Sequence, residues 1–252
     1  MRRPRLAWAG VGLILILLLA VAWALPTGDR TRSACSEPRP VLLLFTSLPI
    51  YWPEAADVAT MLRPASGPHW ARRALARCWR LRPLDALDAA SLAGATKLLL
   101  AQPRPLAPAE NVALDDWVRA GGRVLLFADP ALTAESVFAL GDRRRPQDLV
   151  LLSPILARWG LELRFNPTQP ATQRQVVVAG NPLPVRLAGS FSRRKDGVGA
   201  CELVRDGLLA SCRVGRGKVT AVADAALFEP AGDVADQARR RAALERLAAT
   251  AF

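Results

Sequence analysis

Short apolar runs alternate with helical patterns through the middle of the chain. The runs 41–45 (VLLLF), 96–101 (TKLLLA) and 123–128 (RVLLFA) are each typical of a strand that is buried on both faces. Between the last two, Pro108 occupies a first helical position, an apolar stripe follows, and Gly121-Gly122 supplies a stop. Such strand–helix–strand units predict a parallel sheet with right-handed crossovers.

Weaker patterns predict the remaining elements. Helices are predicted from Pro53 through Met61, over 70–79, over 153–160 with its end at Gly160, and over 232–250; strands are predicted over 79–84, 161–165 and 218–223. From 174 onward the pattern changes to β segments with turns, at 174–179, 184–188, 200–205 and 208–214. The predicted fold class is α/β, a mostly parallel sheet sandwiched by helices, with a C-terminal β-rich portion.

One turn predicts a covalent link. Asp206-Gly207 is a strong signal for a two-residue hairpin, and folding about it brings Cys201 opposite Cys212. We expect a cross-strand disulfide there, although this pair falls on a hydrogen-bonded position with the wider Cβ separation unless a bulge reverses the alternation. Two buried free thiols are the alternative. Cys35 with Cys78 is the only other pairing left, and four cysteines indicate an oxidising compartment.

Twenty consecutive uncharged residues, 6–25, lie near the start of the chain. A helix of that length is about 30 Å long, enough to cross a bilayer core. The arginines at 2, 3 and 5 predict that the N-terminus stays in the cytoplasm. We expect a bacterial inner-membrane protein with a cytoplasmic basic tail (1–5), a transmembrane anchor (6–25), a linker (26–40) and a periplasmic α/β domain (41–252, β-rich at about 174–217). A cleaved secretory signal is the alternative.

The formal net charge is +12 at pH 7, but the basic residues are mostly arginines scattered along the chain. No nucleic-acid-binding motif accompanies them, so we predict no nucleic-acid partner. Attraction to anionic lipid or polysaccharide is a better use of the charge. The inner membrane and an anionic ligand of the cell envelope are therefore the expected partners.

Polar side chains follow the carboxyl ends of the predicted strands, where ligands bind to an open parallel sheet. The candidate ligand- or partner-binding residues are Thr46, Ser47, Trp52, Gln102, Asp129, Asp224 and the basic loop of Arg143, Arg144 and Arg145. Arginine forks suit carboxylate or phosphate groups. Simpler interpretations compete: Ser, Thr and Asp cap helices and turns, a tryptophan packs, and three arginines form a solvated loop.

Standard catalytic motifs are absent from the sequence, including the Gly-x-Ser-x-Gly elbow, the Walker A loop and GxGxxG. His69 is the single histidine and no CxxC occurs, which argues against a zinc site. We therefore predict no cofactor, no metal and no catalytic residue. An enzyme that uses Asp129 and Asp224 as paired carboxylates is the alternative. An open cleft with the two about 5–10 Å apart would favour it, whereas burial with backbone caps would favour a binding module.

Three stretches of the sequence occur in an order that resembles a known family. They are 97–110 (KLLLAQPRPLAPAE), 114–130 (LDDWVRAGGRVLLFADP) and 215–224 (GRGKVTAVAD) with Leu227-Phe228 after it. They resemble the soluble domain of gliding-motility-type ABC-transport auxiliary components and related membrane-anchored domains of unknown function. The resemblance implies a class I glutamine-amidotransferase-like, flavodoxin-like fold without that superfamily's catalytic Cys and His, and it supplies no catalytic residue.

The expected function is that of a non-catalytic, membrane-anchored periplasmic accessory or binding subunit of an envelope ABC-type transport system, with transporter subunits as partners. An envelope hydrolase or sugar-processing enzyme is the second expectation. A purely structural tether is the third.

Overall fold

A seven-stranded sheet lies at the centre of the part of the chain that the computed structural model describes, namely residues 35–55, 57 and 67–252. The strands of this part are β1 (Val41–Thr46), β2 (Arg80–Pro83), β3 (Lys97–Ala101), β4 (Arg123–Phe127), β5 (Leu161–Arg164), β6 (Arg174–Val178), β7 (Asn181–Val185), β8 (Ser190–Arg193), β9 (Ala200–Val204), β10 (Leu209–Val214) and β11 (Gly217–Val222). The order across the sheet is β2-β1-β3-β4-β11-β10-β9. The first five of these strands are parallel, and β10 and β9 are antiparallel to their neighbours.

Helices cover the sheet in two groups. They are α1 (Trp70–Leu75), α2 (Ala89–Leu92), α3 (Pro108–Arg119), α4 (Ser153–Trp159) and α5 (Val234–Ala251), with a 3-10 turn at Ala226–Phe228. Helix α5 packs on α1, β4, β7 and β11, whereas α3 packs on α2, α4 and β11. Because 124–127 of β4 are fully buried, both faces of the sheet are covered. The predicted mixed α/β fold with a mostly parallel sheet is confirmed.

Local signals explain the best-defined helix. Pro108 begins α3, and the Glu110 carboxylate accepts a hydrogen bond of 2.8 Å from the backbone N–H of Ala107. Two hydrogen bonds from the Arg104 guanidinium, at 2.7 and 2.8 Å, lower the pKa of Glu110 to about 2. Gly121 follows the helix with a φ of +120°, a conformation that favours glycine. The predicted start and stop of this helix are both confirmed.

The predicted hairpin and its disulfide are confirmed. Strands β9 and β10 pair in the expected register, with Val204 opposite Leu209 and Cys201 opposite Cys212. Cys201 and Cys212 form a disulfide across this pair, with their Cα atoms 4.0 Å apart. All four cysteines are disulfide-bonded. The turn succeeds because Asp206 and Gly207 both adopt positive φ angles.

Several element boundaries differ from the sequence predictions. The helix predicted over 70–79 ends at Leu75, because residues 76–79 form a turn that leads into β2 at Arg80. The strand predicted over 184–188 is β7 at Asn181–Val185, which pairs with β6 in a separate two-stranded sheet. Strand β8, which pairs with β5, was not predicted, nor was the one-turn helix α2. Both are short, so periodicity carries little signal for them. Most of the helix predicted from Pro53 through Met61 lies outside the described residues.

The predicted single-pass location in the inner membrane needs correction. None of the helices within the described ranges combines the length and the hydropathy that a membrane span requires. The predicted tail and anchor, 1–25, and the first part of the linker lie outside those ranges. The disulfides instead favour an extracellular or periplasmic location, because such bonds form and persist in oxidising compartments.

Candidate functional site

The sheet order brings the predicted site residues to one edge. Strands β1, β3, β4 and β11 are neighbours and parallel, so their carboxyl ends lie side by side. Thr46 is the last residue of β1, and the segments that follow β3, β4 and β11 carry Gln102, Asp129 and Asp224. Adjacent position does not by itself make a ligand site, because buried polar atoms also form hydrogen bonds with the backbone around them. The hydrogen bonds at this carboxyl edge separate the two roles.

The hydroxyl groups after β1 bind neighbouring backbone. Thr46 Oγ1 donates to the carbonyl of Ala101 at 2.7 Å and accepts from the N–H of Leu48 at 2.9 Å. Ser47 Oγ donates to the carbonyl of Gln102 and accepts from the N–H of Gln147 at 3.0 Å. A hydroxyl has one donor and two acceptor positions, so each keeps a single acceptor position for a ligand.

The Gln102 side chain is wholly engaged in structure. It is fully buried, its Nε2 donates to the carbonyls of Asp129 at 3.0 Å and Gln147 at 2.8 Å, and its Oε1 accepts from the N–H of Asp129 at 2.8 Å. The residue has a φ of +45°, which few non-glycine residues adopt. The structure therefore places Gln102 as a clamp between the ends of β3 and β4, away from solvent.

The two predicted carboxylates are buried and capped. Asp129 accepts backbone N–H bonds from Ala131 at 2.8 Å and from Ala225 at 3.0 Å. Asp224 accepts them from Ala226 at 2.6 Å and from Arg186 at 2.8 Å. The two residues are 1% and 2% exposed. These carboxylates tie the ends of β4 and β11 to each other and to the segment after β7.

Burial changes the protonation of both groups. Loss of hydration raises the pKa of Asp129 to about 6, against the opposing effect of its two N–H donors. Burial, followed by the negative charge of Asp129, raises the pKa of Asp224 well above its ordinary value. Near neutral pH the carboxyl edge therefore holds two acids in a setting that disfavours their ionisation.

A third acid, Glu229, adjoins this pair and was missed by sequence reasoning. It accepts a hydrogen bond from the hydroxyl of Thr133 and lies 3.6 Å from an Arg186 nitrogen. Its charge also contributes to raising the pKa values of Asp129 and Asp224. Within the described residues, no group of histidines, cysteines and acids has the arrangement of a metal site. Glu229 follows the last sheet strand by several residues, so no strand-end pattern marks it.

The basic loop is largely neutralised by its own acids. Arg144 binds Asp142 through two side-chain hydrogen bonds, at 3.1 and 2.7 Å, and stacks over Phe138 at 4.3 Å. Arg145 binds Asp148 and the carbonyl of Phe138. Arg143 is exposed and has no ion-pair partner among the described residues. An anionic ligand would therefore compete with two internal ion pairs.

An open cleft of about 280 Å³ lies beside the ends of β1 and β2. We call it the β1–β2 cleft. Its walls include Thr46, Ser47, Trp52, Glu54, Asp85 and Arg144. The Trp52 side chain is 69% exposed, and its ring contacts Tyr51 edge-on with the centroids 4.9 Å apart. Four of the predicted residues thus meet in one cleft, whereas Gln102, Asp129, Arg143, Arg145 and Asp224 do not line it.

A second cavity, of about 350 Å³, was also missed by sequence reasoning. It is lined mainly by apolar side chains, among them Ile50, Trp70, Leu132 and Phe228, with His69 and Glu229 at its wall. The His69 Nδ1 atom accepts the N–H of Ala71, and burial lowers the pKa of its ring. The cavity arises from loops distant in sequence, so no local pattern could reveal it.

Solved structures similar to this one come from varied proteins. They include an exo-beta-1,4-mannosidase from Opitutaceae bacterium strain TAV5 (15% identity, TM-score 0.47, covering 85% of this chain and 36% of that one). A beta-galactosidase from Rahnella sp. R3 has 15% identity and a TM-score of 0.45, covering 82% and 31%. A cytoplasmic protein from Salmonella typhimurium LT2 has 11% identity and a TM-score of 0.42, covering 83% and 99%. The chain thus spans about a third of the length of the two glycosidases, and similarity at this level carries no argument about activity.

Sequence comparison gives a family but no activity. No curated protein matches the chain significantly. The pattern of one family, described as "Domain of unknown function (DUF4350)", matches residues 70–248. That range begins at α1 and ends within α5, so it includes four of the five parallel strands and every strand-end acid described above. The chain belongs to the DUF4350 family.

Proposed function

We propose that this protein is a non-catalytic binding module that serves as an accessory subunit of an ABC-type transport system. Its β1–β2 cleft receives a segment of a partner protein, with Trp52 as the central contact. The observation that carries the proposal is the exposure of Trp52, at 69%, in the cleft where four independently predicted residues meet. The transport context derives from the resemblance of the strand motifs around 97–130 and 215–224.

Trp52 has the character of an interface residue. Tryptophan is enriched among the few residues that supply most of the binding energy in protein interfaces, because a large ring is desolvated at little cost in side-chain entropy. Contact with Tyr51, which itself stacks with Arg72 at 4.1 Å, supports the ring. The ring is therefore presented to solvent on a constrained base, as an anchor requires.

The surrounding polar groups suit a peptide more than a small anion. Glu54 already accepts hydrogen bonds from Ser136 and Val137, and the Arg144 charge is matched by Asp142. Asp85 adds a second acid to the cleft wall. With two acids and one neutralised arginine, the cleft favours backbone and side-chain donors of a partner over a free phosphate or carboxylate.

The capped carboxylates support a non-catalytic role. A general acid or base must reach the proton that it transfers, and Asp129 and Asp224 each spend both oxygens on backbone N–H groups away from solvent. The alternative of an envelope hydrolase or sugar-processing enzyme has less support for this reason. A structural tether would not require an exposed tryptophan in a cleft.

Photo-crosslinking in cells tests the proposal. A photoreactive phenylalanine analogue replaces Trp52 in one variant and Val177, a half-exposed position on β6, in the control. The expected result is a cross-link from position 52 to a subunit of an ABC-type transporter, identified by mass spectrometry, and none from position 177. Trp52→Ala should abolish co-purification of that subunit while leaving the unfolding midpoint unchanged. Cross-linking that is equal at both positions, or that finds no transporter subunit, contradicts the proposal.

A further inference from the structure

Four basic residues lie in register across neighbouring strands at the amino end of the parallel sheet. Lys97 of β3 pairs with Arg123 of β4, Arg123 with Lys218 of β11, and Lys218 with Arg213 of β10. Residues in register on neighbouring strands point to the same face of a sheet, so these side chains share one face. We call this set the basic row. With strands about 4.8 Å apart, the row is about 14 Å long.

No acidic side chain of the described residues pairs with the basic row. Like charges directly opposite each other on neighbouring strands are destabilising. Yet none of the four residues forms an ion pair with an aspartate or glutamate side chain of the described ranges. Arg144 and Arg145, at the opposite edge of the sheet, each have an aspartate partner. The uncompensated positive charge therefore lies at the amino edge, not in the loop where the sequence predicted it to act.

The C-terminal end of helix α5 supplies hydrogen-bond acceptors to only two of the four residues of the basic row. Arg123 donates to the backbone oxygen of Phe252 and Lys218 to the carbonyl of Thr250, both at 2.8 Å. Cations are favourable at the C-terminus of a helix, so these two residues have a structural reason to be basic. Lys97 and Arg213 make no such hydrogen bond within the described part of the chain. Their charge has no structural purpose that the fold reveals.

A shallow depression of about 560 Å³ adjoins one end of the row. Its walls carry Arg213, Lys218 and Arg216, against a single acid, Glu202. Arg216 donates to the carbonyl of Ala120 and keeps its charge without a carboxylate partner among the described residues. The row and the depression thus form one continuous basic surface, which we call the amino-edge surface.

We infer that the amino-edge surface binds an acidic polysaccharide, whose carboxylate groups lie along the basic row and in the adjoining depression. A one-dimensional row suits a linear polymer with repeated charges better than a broad bilayer surface. Guanidinium and ammonium groups are suitable partners for carboxylates. This site is distinct from the β1–β2 cleft and does not depend on the function proposed for it.

Two observations favour a polysaccharide over a nucleic acid. The disulfides indicate an oxidising compartment outside the cytoplasm. The walls of the depression include no aromatic ring on which a base would stack. A surface of lysine and arginine side chains recognises its ligand by charge, and a uronic-acid polymer carries the repeated negative charges that such a surface binds.

Binding of the full chain to polygalacturonate oligosaccharides, by isothermal titration calorimetry in about 50 mM NaCl, tests the inference. The variant Lys97→Gln/Arg213→Gln removes two charges that do not contact α5. We expect its affinity to fall at least about fivefold, because each basic side chain near an anionic surface contributes favourably at low salt. The wild-type affinity should itself fall steeply between about 50 and 300 mM salt.

Matched variants make the result specific. Arg174→Gln/Arg193→Gln removes the same charge from exposed positions on β6 and β8 and should change the affinity less than twofold. The charge-preserving Lys97→Arg/Arg213→Lys should also bind as the wild type does. The inference is overturned if Lys97→Gln/Arg213→Gln and the Arg174→Gln/Arg193→Gln control lose affinity equally. It is also overturned if Lys97→Gln/Arg213→Gln keeps the wild-type affinity, or if the wild type does not bind. Tighter binding to a DNA duplex or to phosphatidylglycerol vesicles at equal anion concentration would overturn it too.

Discussion

The two ends of the same parallel sheet deal with polar side chains in opposite ways. At the carboxyl edge, Gln102, Asp129 and Asp224 are buried and each satisfies two or more backbone groups. At the amino edge, Lys97 and Arg213 are at least partly exposed and have no acceptor in the described part of the chain. The first set holds loops in place, whereas the second leaves its charge available to a partner.

The difference shows that a polar residue at a strand end is informative only when its partners are known. Parallel strands end in backbone donors and acceptors that need partners, and side chains at the carboxyl edge supply them. The side chains of that edge that remain accessible then lie beyond the caps, among them Trp52, which is 69% exposed. Four variants test this contrast.

The largest effect is expected at Gln102. Replacement by alanine leaves the carbonyls of Asp129 and Gln147 and the N–H of Asp129 without their partner, so we expect a loss of about 3–4 kcal/mol in the free energy of unfolding. Lys97→Ala, at the other end of β3, should change the free energy of unfolding by less than about 0.5 kcal/mol. Urea denaturation measures both. A loss below about 1 kcal/mol at Gln102 would show that its amide is dispensable.

Asp129 should make stability fall as the pH rises. Its pKa in the folded protein is raised to about 6, compared with about 3.9 in an unfolded chain, so the folded state binds the proton more tightly. The resulting stability is fully present below pH 4 and is lost as the pH rises through 6, by about 3 kcal/mol. The raised pKa of Asp224 acts in the same direction.

Asp129→Asn removes one of these two titrations and should flatten the profile between pH 4 and 8. The measurement is urea unfolding across that range. Asp142→Asn provides the control, because the pKa of this partly exposed loop acid is lowered to about 2, below the window. A profile for Asp129→Asn as steep as that of the wild type would contradict the assignment.

The disulfide at the amino edge should stabilise the folded state slightly less than the protonation of Asp129 does. Cys201 and Cys212 close a short loop, with a sequence separation of 11 residues, whose entropy predicts a stabilisation of about 2–3 kcal/mol. Cys201→Ser/Cys212→Ser should lose that amount in chemical denaturation without added reductant. The same variant should keep its affinity for polygalacturonate if β9 and β10 remain paired. An unchanged free energy of unfolding would count against the entropic account.

The smallest effect concerns the basic row. Lys97→Gln/Arg213→Gln relieves like-charge contacts with Arg123 and Lys218, so we expect a gain of about 0.5 kcal/mol in the free energy of unfolding at low salt. The gain should disappear in about 1 M NaCl, where charges are screened. A variant that is less stable at low salt would mean that the row has structural partners.

The fold was predictable where the signal is local. Apolar runs identified β1, β3, β4 and β11, and Pro108 with Gly121 fixed the ends of α3, because burial and backbone preference act within a few residues. Strand β8 and helix α2 escaped prediction, since they are too short for a period to emerge. Glu229 and the apolar cavity beside it were missed, because their neighbours come from separate segments.

By itself the sequence determined the predominantly parallel α/β sheet, the β9–β10 register and the Cys201–Cys212 disulfide, because strand periodicity and a two-residue turn are encoded by adjacent residues. Tertiary structure alone decided that Gln102 turns inward while Trp52 remains exposed, since that depends on which backbone groups lie nearby. It also decided that Lys97, Arg123, Lys218 and Arg213 form a row. Those four residues come from distant parts of the chain, and only the pairing of their strands brings the charges together.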